Sequence, residues 1–277
     1  MSQLSVPGRG QLEPFGARHP AGAAHAPWVA CGIAAFIAVA AVAGPASALT
    51  TRTWIGAGAG GAGTVFGTAA NWSPAGAPSS TDSCVMTVSN GATVTIDANA
   101  TVGALNMSLS GNNNLFRLDG RASTLTVLGS LAAEVPSGNN NTSLELSVGT
   151  GVGSAGSMIV NGTASLGTAS TRAVVLRGVT GSASQFVFRG QVTFGAGAQT
   201  STAAFPGSYV FDAASAQTVT FSNGNALDLS SVVIGSVNAP TVTFTGAGAA
   251  AQINASATTA NLTIAPNAAL EDRKSVV

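Results

Sequence analysis

Short runs of alternating apolar and polar residues follow one another from Cys84 to Leu270, separated by Gly, Asn, Ser and Ala. Residues 93–96 set the type. Val94 and Ile96 fall on one side of an extended chain and Thr93 and Thr95 on the other, which predicts a strand with one buried face. The same pattern predicts strands at 84–88, 105–109, 115–118, 125–128, 144–148, 157–160, 173–176 and 185–188. Others follow at 192–194, 218–221, 232–234, 241–244 and 261–264. No helical period occurs after residue 48, so the class is all-β. Asn-rich turns such as Gly111-Asn112-Asn113-Asn114 and Gly138-Asn139-Asn140-Asn141 separate the runs. These triplets read as solvated turns or, alternatively, as stacked amide ladders between coils.

The runs echo one another. Gln217-Thr218-Val219-Thr220-Phe221 returns as Pro240-Thr241-Val242-Thr243-Phe244. A degenerate repeat of about 20 to 25 residues holding two or three strands falls in the solenoid range. One coil cannot bury its apolar face alone, so coils must stack. A β-sandwich built from the same repeats is the alternative.

The segment 1–48 differs. Arg9, Arg18 and His19 precede an uncharged apolar run at 28–42, Gly44-Pro45 ends it, and Ala46-Ser47-Ala48 fits the small-x-small rule of signal cleavage. A signal helix cut between Ala48 and Leu49 is expected. The run is shorter than the ~20 residues of a membrane span, so none should remain after cleavage. Residues 49–83 predict a Trp/Gly/Pro-rich cap anchored by Trp54 and Trp72, since Pro74 and Pro78 exclude a regular ladder. Residues 84–270 form the strand repeat. Residues 271–277 read as a non-native tail holding the only lysine, Lys274, so the repeat is expected to be truncated. Its last coil, around Val242 and Leu262, would then be open to self-association.

Composition narrows the function. Only 7% of residues are charged and the formal net charge is zero, so phosphate neutralisation, and with it a nucleic-acid partner, is not expected. Beyond residue 48 there is no histidine and one cysteine, Cys84. The usual bases, nucleophiles and soft metal ligands are missing. No catalytic, cofactor-binding or metal-binding residue is therefore expected. Cys31 lies in the apolar run, so Cys84 has no intramolecular disulfide partner in the cleaved chain.

Tyr209-Val210-Phe211-Asp212, then Gln217-Thr218-Val219, then Leu227-Asp228-Leu229 followed by Val232-Val233-Ile234, resembles one repeat of bacterial β-strand-repeat surface proteins. Thr53-Trp54-Ile55-Gly56 with Ala69-Ala70-Asn71-Trp72 is similar to the start of autotransporter-type adhesin passenger domains. The resemblance implies a right-handed parallel β-helix displayed outside a bacterial cell. It makes Trp54, Trp72, Asp212, Gln217, Phe221 and Phe244 cap and repeat residues. Ala213 departs from the Gly usual after the Asp.

An adhesive or structural surface protein with a glycan or cell-surface partner follows. The alternative is a fragment of a β-helical carbohydrate-active enzyme. Its candidate carboxylates are Asp82, Asp97, Asp119, Glu134, Glu145, Asp212 and Asp228, and a glycosidase needs two of them facing each other. Arg172 and Arg177 would serve a lyase as base, but read more simply as solvated strand flanks. The glycines at 56–63 lack the aspartates of a calcium-binding repeat and the Lys-Ser/Thr of a phosphate loop.

Overall fold

The computed structural model describes residues 48–112, 114–149, 155–178, 184–200, 208–222, 231–235, 237–238, 240–246, 261–264 and 269–272. For residues 200, 231, 246, 261–264 and 269–272 it describes the backbone alone. The predicted signal segment with Ala46, and Asp228, lie outside the described residues.

Strand β1 (Thr50–Trp54) opens the described chain, and the short β2 (Trp72–Ser73) returns beside it. Five complete coils follow. The first holds β3 (Asp82–Val88), β4 (Ala92–Thr95) and β5 (Ala100–Val102), and the second β6 (Ala104–Ser110), β7 (Leu115–Asp119) and β8 (Thr124–Val127). The third holds β9 (Leu131–Ser137), β10 (Ser143–Val148) and β11 (Ser157–Val160). The fourth holds β12 (Ala164–Leu166), β13 (Ala173–Gly178) and β14 (Gln185–Phe188), and the fifth β15 (Val192–Phe194), β16 (Ala198–Thr200) and β17 (Ser208–Phe211). Beyond them run β18 (Gln217–Phe221), β19 (Ser231–Ile234), β20 (Thr241–Gly246), β21 (Asn261–Ile264) and β22 (Ala269–Asp272).

The strands stack into three sheets. Sheet A runs β2-β1-β3-β6-β9-β12-β15-β18-β20-β22, sheet B β16-β13-β10-β7-β4, and sheet C β21-β19-β17-β14-β11-β8-β5. Every pairing between these strands is parallel except β1 with β2. This is a parallel β-solenoid. The sandwich alternative is overturned, because hairpin-linked sandwich strands would pair antiparallel.

Coil length varies along sheet A. The step from Cys84 to its partner Leu105 is short, and the step from Leu131 to its partner Ala164 is half as long again. The longer step exceeds the expected repeat because length enters at the turns, while the strand registers stay fixed. Registered pairing also recruits segments whose composition does not signal a strand. Strands β5, β9, β12 and β16 are rich in Ala, Ser and Thr, yet each is held in register by a parallel neighbour. Strand β3 begins at Asp82, inside the expected cap, and β22 carries Glu271 and Asp272 of the expected tail into sheet A.

The core consists of columns of inward side chains. Leu118, Leu146 and Leu176 stack in sheet B. Met86, Met107, Ala133, Leu166, Phe194 and Phe221 stack in sheet A. From the fourth coil onward the columns become aromatic. Phe186 stacks on Tyr209 at 5.8 Å between ring centroids, Phe188 on Phe211 at 5.8 Å, and Phe194 on Phe221 at 5.4 Å. Phe244 is half-buried, stacked on Phe221 at 6.1 Å. Such pairs add about 0.5–1.5 kcal/mol each beyond area burial.

Candidate functional site

The N-terminal cap is a compact aromatic plug. Trp54 and Trp72 meet edge to face at 5.2 Å, and Phe66 meets Trp72 at 5.1 Å, all three buried. Both indole N–H groups are satisfied: Trp72 Nε1 donates to the Phe66 carbonyl at 2.7 Å and Trp54 Nε1 to the Ala57 carbonyl at 2.9 Å. The 56–66 loop runs along β4, where Phe66 N donates to Thr95 O and Thr95 N to Thr64 O. Sheet A ends at β2, too short to template further pairing. Under the plug, Asp82 binds Arg52 Nε at 2.8 Å and accepts from Ser79 N at 2.8 Å and Ser79 Oγ at 2.7 Å. Burial alone would push this carboxyl up. The hydrogen bonds from Arg52 and Ser79, with the Arg52 charge, outweigh it and hold the group below its ordinary value.

Cys84 lies in β3 with its side chain wholly buried, and burial pushes the thiol up to about 12, with the Asp82 charge adding to the effect. It is an inert core residue, the opposite of a reactive thiolate.

The repeat residues act at the corner between sheets C and A. Earlier corners turn on a glycine column. Gly129 N donates to Gly103 O at 2.7 Å and Gly162 N to Gly129 O at 3.2 Å. A Cβ on Gly129, Gly162 or Gly190 would strike the carbonyl oxygen of the glycine one coil before. At the corner between β17 and β18 the backbone detours, and Gln217 takes over. Its Nε2 donates to Gly190 O at 2.6 Å and to Phe188 O at 3.1 Å. Asp212, wholly buried, reaches forward instead. Its Oδ1 accepts from Val237 N at 3.0 Å and Asn238 N at 2.8 Å, and Arg189 Nε lies 3.6 Å from Oδ2. The two motif residues therefore staple one corner to the coils on either side. Ala213 is not among the residues with positive φ, so this corner does not require the usual glycine.

The remaining candidate charges are mostly engaged. Glu134 accepts from Thr168 N (3.0 Å), Thr168 Oγ1 (2.6 Å), Ala169 N (2.9 Å) and Ser170 Oγ (2.8 Å), clamping the turn of the next coil. Glu145, on the outer face of sheet B, takes Arg117 Nε at 2.6 Å and Arg177 Nη1 at 3.3 Å. Asp119 accepts from Arg121 N at 3.2 Å. Asp97 is exposed between β4 and β5. Among the described residues no two carboxylates face each other in register. Asp119 and Glu145 are diagonal neighbours on sheet B, since Glu145 pairs with Arg117.

Arg177 is not a solvated flank but an ion-paired member of β13. Arg172, just before β13, is half-buried and donates from Nε to Gly138 O at 3.0 Å and from Nη1 to Thr171 O at 3.1 Å. It borders a cleft of about 480 Å³ with Asn140, Ser170, Thr171, Gly197 and Gln199. The Asn turns lie at this A-to-B corner: within one of them Asn139 Oδ1 accepts from Asn141 N at 3.1 Å, and from the other Asn114 Nδ2 donates to Ser89 O of the preceding coil at 2.8 Å. The Glu134 clamp and the Arg172 cleft went unmarked because each joins the turns of successive coils, far apart in sequence. Among the described residues no group of three or more His, Cys, Asp and Glu side chains could hold a metal ion.

No family model, no curated protein and no solved structure matches the chain.

Proposed function

We propose that this chain is an exported, adhesive β-solenoid of a bacterial cell surface, similar in kind to the passenger domains of autotransporter-type adhesins. The observation carrying this reading is the use of its polar side chains. Asp82, Asp119, Glu134, Glu145, Asp212 and Gln217 hold corners, turns and neighbouring coils together. The outward strand positions left to contact a partner are largely Thr, Ser, Ala and Asn, which suit the hydroxyl-rich surface of a glycan. The start of the fold agrees with export. Strand β1 begins at Thr50, just past Ala48, so cleavage there would remove the leader and leave the solenoid whole.

Expression of the full chain in a bacterial host with an export pathway tests the reading. The mature product should begin at Leu49, and cells carrying it on their surface should gain adhesion to glycan-coated plates. Retention of an uncleaved chain in the cytoplasm would sink the proposal. So would polysaccharide turnover that disappears in Asp97→Asn or Asp119→Asn, which would favour the carbohydrate-active enzyme.

A further inference from the structure

Arg172 stands apart from the other described arginines. Arg52, Arg117, Arg177 and Arg189 each lie within ion-pair distance of a carboxylate. Arg121 has no such partner but is exposed at a turn. Arg172 is half-buried, has no carboxylate partner among the described residues, and is fixed by two backbone carbonyls that engage Nε and Nη1. A guanidinium carries five N–H donors, so three remain.

The surroundings suit a polar ligand. Three successive A-to-B turns make the cleft: Asn140 from the third coil, Ser170 to Arg172 from the fourth, and Gly197 with Gln199 from the fifth. Ser170 Oγ is engaged by Glu134 and by Val135 N, and the Thr171 hydroxyl donates to Pro136 O at 3.2 Å. The Asn140 and Gln199 amides enter no hydrogen bond among the described residues. Glu134 lies behind Ser170, its two oxygens taken up by four neutral donors. Gly197 keeps the floor low, since a Cβ there would strike the Ser170 side chain. A cavity of about 480 Å³ falls in the usual range for small-ligand sites.

We propose that this cleft binds an acidic sugar residue of a glycan, with Arg172 holding the sugar carboxylate and Asn140 and Gln199 bonding its hydroxyls. The inference rests on the reading of the chain as a glycan-contacting surface solenoid and gives that contact a place. A guanidinium presents two parallel N–H groups to a carboxylate, and two amides supply both donors and acceptors to the ring hydroxyls.

The test is isothermal titration of the full chain with trigalacturonate, its methyl-esterified neutral form, and inorganic phosphate as competitor. Trigalacturonate should bind at least tenfold more tightly than the ester, and equimolar phosphate should not displace it. Arg172→Gln should lower affinity at least tenfold and Arg121→Gln should leave it unchanged. Since Arg172→Gln also removes two backbone contacts, Gln199→Glu serves as the second variant. It sits at an exposed position, should keep the melting temperature, and should abolish binding by placing a like charge in the cleft. Equal affinity for acid and ester, full competition by phosphate, no binding, or unchanged affinity in Gln199→Glu would overturn the inference. Surface display with no sugar bound would fail this inference alone, whereas binding by a chain that is never exported would fail the surface reading alone.

Discussion

Gln217 Nε2 donates to the carbonyl oxygen of Gly190 at 2.6 Å, filling with a side chain the place that a glycine backbone N–H fills at earlier corners. Gly162 and Gly129 bond directly to the glycine one coil before. Where the corner lengthens to hold Asp212 and Ala213, no backbone amide is in position and the amide side chain substitutes. A repeat can thus change its turn length without losing the ladder.

Replacing Gln217 by Leu should leave the Gly190 carbonyl unsatisfied in a half-buried corner, at about 1–3 kcal/mol, while the Phe188 carbonyl keeps its bond from Asp212 N at 2.9 Å. The loss should be local. Hydrogen exchange at residues 208–221 should accelerate while residues 104–135 keep their protection, because solenoid coils couple to nearest neighbours. Uniform acceleration along the chain would contradict the staple.

The glycine column makes a sharper comparison. Gly162→Ala would drive a methyl group into the Gly129 carbonyl, whereas a Cβ on Gly67 meets nothing within 4 Å. Overpacking of this kind costs about 1–3 kcal/mol. Urea unfolding should show that loss for Gly162→Ala and no measurable loss for Gly67→Ala. Equal midpoints would mean that the corner has room.

The strands were legible where apolar and polar residues alternate: Val94 and Ile96, and Val219 and Phe221, all point inward as the period-2 pattern requires. The prolines near Trp72 read as excluding a ladder, yet β1, which ends at Trp54, pairs in parallel with β3, and Trp72 opens β2 beside it; Pro74 and Pro78 fall after β2. Illegible were strands such as β12, Ala164–Leu166, with no local signal of their own; their conformation comes from the neighbours above and below. The roles of Glu134 and Arg172 were hidden for a related reason. Each acts on a turn one coil away, and the coil length that sets this offset varies from coil to coil.

Acid should loosen the cap first. Asp82 is held below its ordinary value in the folded chain, so it binds fewer protons there than when unfolded. Its stabilisation is present above the unfolded value of about 3.9 and is lost as pH falls through the lower folded value. The emission of Trp54 and Trp72 should therefore shift to the red below about pH 4 in a chain beginning at Leu49, which lacks Trp28. Asp82→Asn should lower stability at pH 7 and flatten this acid dependence. A variant with the wild-type acid profile would remove Asp82 from the cap's energetics.

Cys84 carries the opposite linkage. Its thiol is pushed from an ordinary 9.0 up to about 12 by burial in β3. In the unfolded chain the proton leaves near the ordinary value, so between there and about 12 the folded state binds more protons than the unfolded one. Stability should then fall as pH rises through that window, by up to about 1.4 kcal/mol per pH unit. Cys84→Ala removes this alkaline slope but leaves a cavity, which lowers stability at neutral pH. The wild-type and variant curves of unfolding free energy against pH should consequently converge from pH 9 upward. Reaction with a thiol reagent gives an independent check. A wholly buried, protonated thiol reacts only through opening of the coil, so in a chain beginning at Leu49, which lacks Cys31, labelling at pH 8 should follow the opening of β3 and speed up with urea. Rapid labelling of the folded chain would show that the sulfur is accessible and would remove the basis for the alkaline slope.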